Sequence, residues 1–164
     1  MRILLHTTIA AVALASAAPT ASAVRLSDPL RFFVGTTETL TTVKVIMKKS
    51  YRARTLGEGR IGPDGALTLI QRVEDEGRAP FERRWHIRRV GPGRFGGSMT
   101  EAKGPVTVSE IKGRYRFRFK MKGSLSVEQW ITPLAGGTTA RTESTVRKLG
   151  VKVASSRGFI RKIA

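Results

Sequence analysis

The chain contains no cysteine and no asparagine. Without cysteine it has neither a disulfide staple nor the thioether that anchors a bacterial lipoprotein. Histidine is almost absent, with only His6 and His86, so no His/Cys/carboxylate cluster offers a metal site and no cofactor is expected. Acids are scarce, 12 Asp and Glu against 30 Lys and Arg. Long apolar runs are missing too. The longest, residues 9–18, falls short of the roughly 20 residues a membrane-spanning helix needs.

That short apolar run lies in a leader. Residues 1–23 pair a basic start with an apolar middle and end on Ala21-Ser22-Ala23. The small-x-small ending predicts a signal peptide cleaved after Ala23, with Ala15-Ser16-Ala17 as a weaker second point. The predicted mature chain, residues 24–164, is one domain of 164 − 23 = 141 residues, enough for a core. Export to a bacterial periplasm is the expected localisation, with full secretion left open by composition. No second apolar run predicts a membrane span.

The charge is the strongest feature present. Arg2 leaves with the leader, so the mature net charge is 29 − 12 = +17. Such a surface attracts polyanions. Export argues against nucleic acid and points to anionic lipid or another envelope polyanion.

"YRFRFKMK", residues 115–122, alternates Tyr115, Phe117, Phe119 and Met121 with Arg116, Arg118, Lys120 and Lys122. Strict period two marks a strand with one buried and one wet face. The same reading predicts strands at 36–42, 44–54, 66–73, 81–90, 94–103, 106–112, 115–122, 125–133, 138–148 and 152–163. Turn residues separate most of them, as at Gly62-Pro63-Asp64-Gly65 and Gly136-Gly137. Asp28-Pro29 opens a short helical turn that Gly35 ends. The expected fold is all-β: a single antiparallel meander of about 8–10 strands closed into a lipocalin-like (calycin) barrel, with the N-terminal turn as plug.

Trp85 and Ile87 place Arg83 on the inner face and Arg84, His86 and Arg88 outside. Gln71 shares an inner face with Leu67, Leu69 and Val73. A buried guanidinium needs a partner, and Glu128, which shares a face with Trp130, is the candidate. Leu125, Val127 and Ile131 favour the opposite face as the inner one. Gly91-Pro92-Gly93-Arg94-Phe95-Gly96 matches GxGxxG, but strands on both sides make it a hairpin turn. A serine triad would have to use His86 with Glu82, and Glu74-Asp75-Glu76 crowd a turn. No catalytic residue is assigned, and the chain is not expected to be an enzyme.

"DPLRFFVG", "DGALTLIQRV", "RRWHIRRVGPGRFGG", "EQW" and "VRKLGVKV", in that order and spacing, resemble a bacterial envelope family known only as domain of unknown function 3833. The resemblance runs from about Asp28 to Lys162. It implies a lipocalin-like barrel with a capping segment, carried on exported and often lipid-anchored proteins, and no known reaction. The chain departs from that pattern. Gln71 replaces an acid, Glu128-Gln129 replace a paired acid, and the anchoring cysteine is missing.

The expected function is therefore an exported, non-enzymatic envelope barrel, binding a lipid or other amphipathic ligand or acting structurally. Its expected lining is Leu67, Leu69, Gln71, Arg83, Trp85, Ile87, Phe117, Phe119, Glu128 and Trp130. The alternative is peripheral binding to anionic membrane or another polyanion through Arg84, Arg88, Arg116, Arg118, Lys120 and Lys122. Oligomeric state is left open.

Overall fold

The computed structural model describes residues 28–163; the leader and its cleavage after Ala23 lie outside them. Alternation resolves into ten strands: β1 (Gly35–Val45), β2 (Tyr51–Ile61), β3 (Leu67–Asp75), β4 (Phe81–Gly91), β5 (Arg94–Met99), β6 (Val106–Ile111), β7 (Arg114–Met121), β8 (Leu125–Pro133), β9 (Thr139–Lys148) and β10 (Val151–Lys162). Each pairs antiparallel with the next, and β10 returns to β1, so the barrel is closed. Closure leaves no strand edge for another chain to extend. Most buried side chains are apolar and most cations are exposed, the reverse of a barrel whose outer face meets lipid. Among the described residues no helix is long and apolar enough to cross a membrane.

A meander alternates its turns between two ends, and the chain enters at a plugged one. The plug is a 3-10 turn, Pro29–Phe33. The Asp28 carboxylate accepts a hydrogen bond from the Leu30 N–H at 3.1 Å, and Pro29 fixes the first φ where no donor is needed. Leu30 and Phe32 bury their side chains against the barrel core. Gly59 leaves room for them: a Cβ there would sit 1.9 Å from the Phe33 carbonyl oxygen. Both described termini and the turns at 62–66, 92–93, 112–113 and 134–138 share this end. The turns at 46–50, 76–80, 100–105, 122–124 and 149–150 form the opposite, open end.

The core beneath the plug joins Leu67 and Leu69 of β3, Ile87 of β4, Phe95 of β5, Val108 of β6, and Tyr115 and Ile131 of β7 and β8. Burying a side chain of this size stabilises by about 1.5–3 kcal/mol.

Two expected boundaries are corrected. The strand expected at 44–54 contains the β1–β2 turn, and residues 55–61, outside every expected strand, belong to β2. The turn lacks glycine, proline, asparagine and aspartate; Met47 itself adopts the left-handed φ of 58°. Gly57 and Gly59 interrupt the alternation of β2 because the chain is close-packed there against Thr37 and Phe33. The strand expected at 94–103 stops at Met99. Gly91-Pro92-Gly93-Arg94 is the tight β4–β5 turn.

Candidate functional site

The barrel interior divides into two halves. Under the plug, the gaps beside Leu30, Phe33, Ile87 and Phe117 amount to only about 20 and 50 Å³. Toward the open end lies a cavity of about 250 Å³. Leu67, Leu69, Ile87 and Phe117 belong to the filled half, while Gln71, Arg83, Trp85 and Phe119 line the cavity.

The cavity has two unlike walls. One is apolar and aromatic: Trp85, Met99, Phe119, Met121 and Val127. Trp85 meets Phe119 and Phe117 edge to face, with ring centroids 5.6 and 6.2 Å apart, the arrangement favoured by ring quadrupoles. Its indole N–H donates to the Gln71 carbonyl oxygen at 2.7 Å, which satisfies the indole's one donor. The other wall carries hydroxyls: Thr39 and Thr41 of β1, Thr55 of β2, Thr142 and Ser144 of β9, and Ser156 of β10. Ser144 and Ser156 hydrogen-bond across β9 and β10, and the Gln129 amide donates to Thr142 at 2.9 Å.

Arg83 stands at the mouth. Its Nε donates to the Glu101 carboxylate at 2.9 and 3.1 Å and its Nη2 at 2.8 Å. This forked geometry compensates the charge of a guanidinium only 25% exposed. Glu101, in the β5–β6 turn, is thus the partner that Glu128 was expected to be. The mouth also holds Asp75, which pairs with Arg78 at 3.8 Å, and nearby Tyr51 stacks under Arg78. Burial, then the Asp75 carboxylate, raise the Tyr51 phenol above its ordinary pKa of 10.0, with Arg78 opposing.

Glu128 and Trp130 do not line the interior. They pair with Arg118 and Arg116, whose side chains face outward; Val127, Gln129 and Ile131 take the inner face of β8. The Trp130 N–H donates to Glu128 at 3.2 Å. Arg114 and Arg116 stack on its ring, 4.4 and 5.6 Å from the centroid. The hydroxyl wall was missed because β1, β9 and β10 carry Thr, Ser or Glu on both faces; barrel closure alone decides which set points in.

The two cationic rows lie on β4 and β7, separated by β5 and β6. Arg88, Arg118, Lys120 and Lys122 are exposed. Arg84 pairs with Glu82 at 3.1 Å, and Arg116 is held on Trp130. His86 is exposed on the outer face, 3.4 Å from the Thr68 hydroxyl. Larger concavities, of about 870 and 560 Å³, lie on the barrel's outer surface. They are open grooves, the first crossed by the Arg54–Glu74 ion pair.

No family model matches the chain, and neither does any curated protein. Solved structures do match. An S-type phycobiliprotein lyase from Guillardia theta superposes with a TM-score of 0.66 at 8% identity, over 82% of this chain and 90% of that one. A Nostoc punctiforme protein of unknown function, from the family DUF3598, gives 0.64 at 10% identity over 90% of this chain. This chain spans 53% of that longer protein. Both neighbours are lipocalin-like barrels. The fold is lipocalin-like. At these identities the likeness carries the fold alone, and the lipocalin-like barrel must be read for function from its own residues.

Proposed function

We propose that this lipocalin-like barrel binds one small amphipathic ligand in the half of its interior away from the plug. The observation that carries the reading is the two-walled cavity, aromatic on one side and hydroxylated on the other. Such a site gives a flat or aliphatic group apolar contact while hydrogen-bonding its polar edge. The volume, about 250 Å³, lies just under the roughly 300–1,000 Å³ of typical ligand pockets. It suits a single acyl chain or ring system, or one end of a longer lipid.

Binding is favoured over catalysis by the state of the polar groups. Arg83 and Glu101 neutralise one another, Asp75 is paired with Arg78, and His86 is on the outer face. The lyase activity of one structural neighbour is a property of that protein. The basic start and small-residue ending of residues 1–23, and the stretches that resemble domain of unknown function 3833, are what support an exported envelope role within this proposal. Native mass spectrometry of the protein from a bacterial periplasm tests both points. The expected mass starts at Val24, with a fraction carrying one lipid-sized adduct. An uncleaved chain only, or a chain bare under conditions that preserve complexes, would refute the corresponding part.

A second reading, contact with an anionic membrane, is favoured by one observation. The exposed cations Arg88, Arg118, Lys120 and Lys122 make no ion pair among the described residues.

A further inference from the structure

Exposed large apolar side chains are not scattered evenly over the barrel. Met47 is 98% exposed and Leu149 82%, with Ile46 at 57% and Val151 at 62%. All four sit on two hairpin tips at the open end, β1–β2 and β9–β10. The tips are neighbours, because β1 pairs with β10 and the Ile46 N–H donates to the Val153 carbonyl at 2.9 Å.

Backbone geometry makes their exposure harder to dismiss. Met47 has a φ of 58° and Leu149 of 48°, left-handed positions where glycine or asparagine is cheapest. A large apolar residue there burdens the folded state and adds nothing to the core. The flanking side chains are Lys44, Lys48, Lys49, Lys148 and Lys152, and residues 44–54 and 147–153 contain no acid. Long lysine stems can lie along an apolar surface while their ammonium groups reach phosphate. Apolar tips inside a lysine collar complement an anionic lipid surface: the tips enter the interface and the collar meets the headgroups.

We infer that the open rim of the barrel docks onto anionic membrane through the β1–β2 and β9–β10 tips. The inference deepens the membrane reading above, on which it rests. It moves the contact from the outer rows of β4 and β7 to the rim, and it adds shallow insertion of Met47 and Leu149. In this pose the mouth of the cavity faces the bilayer. The plugged end, where Asp28 lies, faces away.

The cysteine-free chain allows a direct test. An environment-sensitive dye is placed on Met47→Cys, or on Val90→Cys, an exposed position (57%) at the plugged end. Each is mixed with neutral phosphatidylcholine vesicles and with vesicles containing a third phosphatidylglycerol, and co-sedimentation is followed in parallel. The expected result is a blue shift at position 47 with anionic vesicles at low salt, reversed by high salt, and none at position 90. Lys48→Gln/Lys49→Gln/Lys152→Gln should weaken vesicle binding roughly a hundredfold, at about fivefold per lysine near an anionic surface. Failure to co-sediment with anionic vesicles would overturn the membrane reading itself. Co-sedimentation with no shift at position 47, or with the shift at position 90, would overturn the rim assignment alone, the latter indicating attachment through the N-terminal side. A shift at position 47 on concentrating the protein without vesicles would assign the tips to self-association instead.

Discussion

Phe119→Ala and Arg118→Ala form the sharpest test of the barrel's inside and outside, because the two residues are adjacent in sequence and opposite in environment. Phe119 is 9% exposed and edge-on to Trp85 at 5.6 Å. Removing a buried phenyl ring costs about 3–5 kcal/mol. Part of that ring already borders the cavity, so the space left behind is continuous with an existing volume, which places the loss near the lower end, about 3 kcal/mol. The lost aromatic pair falls within that figure. Arg118 is exposed, and its side chain makes no ion pair among the described residues. Its truncation should stay within about 0.5 kcal/mol. Urea unfolding measures both, with a lowered midpoint at an unchanged m-value for Phe119→Ala. In thermal unfolding the same loss is worth roughly 10 °C, at about 3 °C per kcal/mol for a domain of this size. Equal losses for the two variants, or a larger one for Arg118→Ala, would refute the assignment of faces on β7.

Gly59→Ala should dislodge the plug, since the new Cβ would lie 1.9 Å from the Phe33 carbonyl oxygen; limited proteolysis near residues 28–34 should accelerate, and unchanged cleavage would remove the plug's dependence on Gly59. Tyr51 should titrate above its ordinary value of 10.0, followed by tyrosinate absorbance. Because the folded state holds this proton more tightly, the associated stability is present below the unfolded-state pKa and is lost as pH rises through the folded one. Asp75→Asn removes one cause of the shift and should lower the pKa; an unchanged or higher value would be inconsistent with that cause.

The sequence made the barrel legible where one face of a strand is apolar and the other cationic. β4 and β7 were readable for that reason, the inner face of β3 was readable from Leu67, Leu69 and Val73, and Gln71 and Arg83 were recognisable as polar groups facing inward. Four features were not readable, each for a physical reason. The β1–β2 turn uses Met47 in a left-handed conformation, so it carries no glycine, proline, asparagine or aspartate to betray it. Glu101 reaches Arg83 only because β5 ends at the mouth beside β4, a fact of register that no local pattern encodes. Trp130 is outward because two arginines cover its ring, so an aromatic on the wet face imitated a core residue. The hydroxyl wall was hidden for a related reason: polar residues on both faces give period two nothing to select.

A single titration bears most directly on whether the open half of the barrel is a binding site. Trp130→Phe leaves Trp85, in the cavity wall, as the single tryptophan, since the chain has two. An amphipathic fluorescent probe, an anilinonaphthalene sulfonate, is added to this protein and to the same protein carrying Ser144→Phe, which puts a ring into the cavity from the hydroxyl wall. A ligand site in the cavity requires saturable binding at one probe per chain, with a change in Trp85 emission, and loss of both with Ser144→Phe. Identical binding by the two proteins, or none by either, would contradict it.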